Sequence, residues 1–131
     1  MRGHPANARI LAWPGTDGRL RPFHGLSFDQ GGVALFERYG RDLPDACKWS
    51  LGITNVMVHP ATGVIFAVHH GRFTFLLRRP GAPTGRPPFA ETLDGRIDLR
   101  GLEDEWWSWS FEDDDDIVEL HAAYAHAGRA G

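Results

Sequence analysis

Hydrophobic and polar positions alternate from Trp49 to His59. Trp49, Leu51, Ile53 and Met57 fall on one side, and Ser50, Gly52, Thr54 and Val56 on the other. Period two predicts a strand over 49–59 with one buried face. Pro60-Ala61-Thr62-Gly63 follows, with Pro60 suited to a turn's first corner and Gly63 to a positive φ. Further strands are predicted over 64–69 and 72–78, joined by a two-residue link at His70-Gly71. That link sets Val68 opposite Phe73, Phe66 opposite Phe75 and Val64 opposite Leu77. The four-residue turn sets Met57 opposite Phe66, so one face collects the large apolar side chains. Ile65, Ala67, Leu76 and Thr74 fall on the other face, which is mixed and expected to be partly covered.

Around this three-stranded meander the periodicity changes. Ala8–Trp13 reads as a short strand stopped by Pro14-Gly15. Asp29 can cap a helix over about 30–40, where Val33, Leu35, Phe36 and Tyr39 have helical spacing and Gly40 suits its end. A short helical turn is expected near Leu43–Ala46. The segment 79–89 is a Pro/Gly-rich loop, and 96–99 reads as a short strand. Glu105–Phe111 alternates again, with Trp107, Trp109 and Phe111 on one side and Trp106, Ser108 and Ser110 on the other. A last helix is predicted over about 113–127, with Ile117, Leu120 and Tyr124 as its apolar stripe. The fold class is therefore α+β, an antiparallel sheet with an N-terminal and a C-terminal helix, in one domain over 1–131.

Charge changes this picture more than composition does. The chain has 131 residues and a net charge of −3. That small value hides a balance of +6 over residues 1–90 and −10 over residues 91–119. The acidic part is interleaved with tryptophan: Glu103, Asp104, Glu105, then Trp106 to Phe111, then Glu112, Asp113, Asp114, Asp115 and Asp116. One reading is local, because acids in a helix's first turn complement its dipole by about 0.3–1 kcal/mol each. The other starts from the excess. Four consecutive aspartates repel one another, and a basic partner would relieve that repulsion. On this reading Glu103, Asp104, Glu105, Glu112 and Asp113–Asp116 are partner-binding, with an outward Trp106 as anchor. A metal site at Asp113–Asp116 lacks the alternating ligands and central glycine of a calcium loop.

No catalytic constellation stands out. The seven histidines form no metal-ligand spacing, and no cofactor or metal is expected. Cys47 is the sole cysteine, so no internal disulfide forms, and it reads as a packing residue more readily than as a nucleophile. No signal peptide or membrane span is read, which makes a cytoplasmic home the expectation. Arg72, Arg78, Arg79 and Arg86 near Phe73 and Phe75 suggest nucleic acid, but those aromatics read as core and the acidic part repels phosphate. The alternative to a binding protein is a small enzyme or ligand-binding domain using His59, His69 or His70 beside Arg72 on the less apolar sheet face.

The run Val58–Val68, followed by Gly71–Arg78 and the acidic, tryptophan-rich end, resembles the small bacterial immunity proteins that accompany polymorphic or contact-delivered toxins. The resemblance implies a compact cytoplasmic α+β protein without catalysis. It also implies a partner, a cognate toxin whose active site the protein blocks. The acidic surface around Glu103–Asp116 would suit a basic cleft, such as that of a toxin acting on nucleic acid or a nucleotide.

Overall fold

The computed structural model describes residues 4–11, 18–24, 30–51, 54–70, 74–78, 106–110 and 117–129. Its centre is an antiparallel sheet whose strands lie side by side in chain order: β1 (Leu20–Pro22), β2 (Lys48–Leu51), β3 (Thr54–Val58), β4 (Ile65–His70), β5 (Thr74–Arg78) and β6 (Trp106–Ser110). The helices are α1 (Ala8–Leu11), α2 (Gln30–Tyr39) and α3 (Ile117–Gly128). The α+β class and the antiparallel meander are as the alternation predicts. Among the described residues no helix is long and apolar enough to cross a membrane.

Helix α2 spans the residues its spacing predicts, and a 3-10 turn at Asp45–Cys47 follows it. The Pro60–Gly63 turn also forms as expected. His59 N–H donates to the Val64 carbonyl at 2.9 Å, and Gly63 takes φ +77°. The expected loop at 79–89, the strand at 96–99 and the start of the last helix at 113–116 lie outside the described residues.

Three expectations are corrected. The 49–59 segment is a hairpin, not one strand. Leu51 pairs with Thr54, so the chain reverses between them and Trp49 and Leu51 join the face opposite Met57. A glycine leading a two-residue link is a known hairpin signature, and Gly52-Ile53 has that form. The next link is longer than two residues, because the last β4–β5 pair is His70 with Thr74. Phe75 therefore faces His69 and Leu77 faces Ala67. Finally, Ala8–Leu11 is helical. Pro5 presets the preceding 3-10 turn, and His4 Nδ1 accepts the Ala6 N–H at 3.1 Å as its cap.

A β-bulge explains how the core still fills. Met57 pairs with Ala67 and Val58 with Ile65, which leaves Phe66 as an extra residue in β4. Phe66 and Ala67 consequently both pack on the face covered by α2 and α3, with Met57, Phe75, Leu77, Phe36, Leu120 and Ala123. The other face holds Val56, Val58, Ile65, Val68, Leu76 and Trp106, with Ile10 of α1 packed among them. Both faces of the sheet are thus buried, where the sequence suggested one buried and one mixed.

Candidate functional site

The acidic residues Glu103–Glu105 and Glu112–Asp116 lie outside the described residues, but the strand that joins them does not. β6 starts at Trp106, paired with Arg78, and ends at Ser110, paired with Thr74. It is the last strand in the sheet order among the described residues. Trp106 is only 1 % exposed and packs among the aliphatic side chains of the α1 face. It is therefore a core residue, and its expected role as an outward anchor is corrected. Alternation placed Trp106 and Trp107 on opposite sides of the strand, as found. It could not reveal that both sides are covered, since Trp107 packs against the α2–α3 cluster.

Just after the aspartate run, Ile117 lines a surface cleft of about 310 Å³ with Arg38, Tyr39, Arg41 and Asp42. The first turn of α3 therefore sits beside two guanidinium-bearing residues at the end of α2.

His59 and His69 do not converge. His69 is 3 % exposed on the α2-covered face, stacked on Phe75 at 4.4 Å and on Phe36 at 5.8 Å between ring centroids. His59 stacks on Tyr124 at 4.6 Å beside the Pro60–Gly63 turn. Ile65 pairs with Val58, next to His59, and His69 lies four residues further along β4, roughly 13 Å at a strand's rise. The side chain of His70 and all of Arg72 fall outside the described residues. Among the described residues no group of three His, Cys, Asp or Glu could hold a metal.

Cys47 is fully buried in the α2–α3 cluster, and burial pushes its thiol up to about 11, with Lys48 acting weakly in the opposite direction. A thiol so held is protonated at neutral pH, which disfavours the reactive thiolate.

Two buried polar groupings were not anticipated. At the β3–β4 turn, the side chain of Asn7 donates to the Gly63 carbonyl at 2.8 Å and accepts from Ile65 N–H at 2.7 Å. Thr62 Oγ1 donates to the Ala127 carbonyl at 2.9 Å, and His59 Nδ1 accepts the Ala61 N–H at 3.1 Å. This turn therefore ties both ends of the described chain to the sheet. Nearer the opposite end of the strands, Ser50, Asn55 and His69 are register partners on β2, β3 and β4, and all three are buried. Phe36, itself stacked on Phe23 at 5.3 Å, covers His69. Ser50 Oγ accepts the His24 N–H at 3.2 Å. Ser50 and His69 are two strands apart, roughly 10 Å at sheet spacing, too far for a nucleophile–base pair. The signal for this row was Asn55 itself, a polar residue on the Met57 side of the alternation.

No protein-family model, curated protein or solved structure matches the chain.

Proposed function

We propose that the chain is a non-catalytic binding protein of the immunity type, which neutralises a cognate toxin by setting carboxylates against its basic active-site cleft. The observation that carries this reading is the placement of β6. Both acidic stretches are attached to the two ends of one uncharged strand at the end of the sheet order. A five-residue strand separates its ends by roughly 14 Å, and in the sequence acidic residues precede one end and follow the other. This concentration of negative charge suits a basic cleft that ordinarily receives phosphates, and the charge speeds encounter more than it tightens the complex. Trp106 takes no part in it. A cytoplasmic location belongs to the same proposal.

The test is binding to the product of the adjacent open reading frame. Replacing Asp113–Asp116 by Asn should weaken that binding and flatten its dependence on salt. Affinity and salt slope that both stay unchanged would remove the proposal.

A second reading has one observation behind it. Ile117 shares its cleft with Arg38 and Arg41, so the preceding aspartates would serve to anchor α3 to the end of α2. That reading predicts a loss of stability on neutralisation, which the first does not.

A further inference from the structure

The Ser50–Asn55–His69 row contains a group that the fold does not account for. Asn55 is 1 % exposed, and neither its Oδ1 nor its Nδ2 has a hydrogen-bond partner among the described residues. Buried polar atoms are nearly always paired, and leaving a carboxamide unpaired is costly. Trp107 Nε1 and His121 Nε2 are also unpartnered, but each belongs to a half-buried residue. Asn55 alone among these three is sealed. On β3 it lies between Thr54 and Val56, and Met57 follows on the same face, so an apolar side chain would continue that core at no such cost. The rings near its register partner, Phe36 and Phe75, have no hydrogen-bonding atoms to offer. Ser50 Oγ accepts the His24 N–H, which leaves its own O–H to donate.

We propose that Asn55 is the anchor of a buried binding site for a small neutral guest that both donates and accepts a hydrogen bond. A carboxamide offers N–H donors beside a carbonyl acceptor, and its complement must carry both functions. An ion fits poorly, because a neutral carboxamide supplies no countercharge. Two sources share the required chemistry: a water molecule bridging Asn55 to the hydroxyl of Ser50, and a small organic amide pairing edge to edge with the carboxamide. This site is independent of the acidic stretches and of the function proposed for them.

The experiment uses the full isotope-labelled chain and reads cross-peaks between the Asn55 side-chain amide protons and the guest by NMR. It is recorded in buffer alone and with millimolar acetamide as the probe. A long-lived water cross-peak that persists with acetamide assigns the guest as water. Loss of that peak, with shifts at Asn55, Ser50 and His69 on adding acetamide, assigns an organic amide. Either result supports the site, and Asn55→Leu should reduce the cross-peak to background. A carboxamide that shows neither cross-peak in the unaltered protein, and exchanges its protons as fast as an exposed amide, overturns the proposal without any variant having to fold. Neither outcome bears on the toxin-binding reading.

Discussion

Asn7 and Asn55 are the same residue type, and both are buried, at 0 % and 1 % exposure. Asn7 uses its carboxamide on both sides, gripping Gly63 and Ile65, which lie 56 and 58 residues away. Asn55 uses neither side of its carboxamide among the described residues. The contrast separates polarity that the fold consumes from polarity that it leaves over. Asn7 supplies a carbonyl and a backbone N–H at a turn with the partners they need, so it belongs to the architecture. Asn55 belongs to something the chain meets. On the proposed function the charge falls into the same two kinds. One acid is enough to cap a helix, and the run from Glu112 to Asp116 supplies five.

The comparison can be broken most directly by substituting leucine at both positions. Asn7→Leu strands a buried carbonyl and a buried N–H, and should cost about 3 kcal/mol in urea unfolding. Asn55→Leu strands nothing among the described residues and should stay within about 1 kcal/mol of the unaltered protein. Equal losses would erase the distinction. A smaller effect sharpens the account of the turn that Asn7 holds. A Cβ on Gly128 would lie 2.8 Å from His59 Nε2, and that ring is fixed by Tyr124 and Ala61. Gly128→Ala should cost about 1 kcal/mol, and the cost should vanish when His59 is also alanine. Cys47 gives a pH test. Its thiol is raised from 9.0 to about 11 in the folded chain, so the folded state holds that proton more tightly than the unfolded one. The resulting stability is present below pH 9 and is lost as pH rises towards 11. Cys47→Ala should remove that part of the alkaline slope.

Much of this architecture could be read from the residues, and the failures have identifiable causes. Helix α2, the Pro60–Gly63 turn and the alternation of β6 follow from local chemistry: apolar spacing, a proline corner and a glycine at positive φ. The hairpin at Gly52-Ile53 was missed because alternation continues through a two-residue link, so period two alone cannot tell one strand from two. The bulge at Phe66 was missed because an extra residue leaves no compositional trace. Asn55 shares the side of Met57 in either reading; what alternation does not carry is its pairing with Ser50 and His69, which depends on the reversal and the bulge. The acidic stretches were visible as charge. The burial of Trp106 was not, because it depends on Ile10 and the aliphatic strand residues packed against it.

The claim that the acidic run is surplus to folding can be tested without knowing the partner. The measurement is the unfolding free energy, by urea titration, of a chain with Asp113, Asp114, Asp115 and Asp116 all changed to Asn. If the run faces outward to a basic molecule, stability stays within about 0.5 kcal/mol or rises as the repulsion is relieved. If the run instead holds α3 against Arg38 and Arg41, the dipole and ion-pair contributions are lost together, and a fall of about 2 kcal/mol or more would contradict the account.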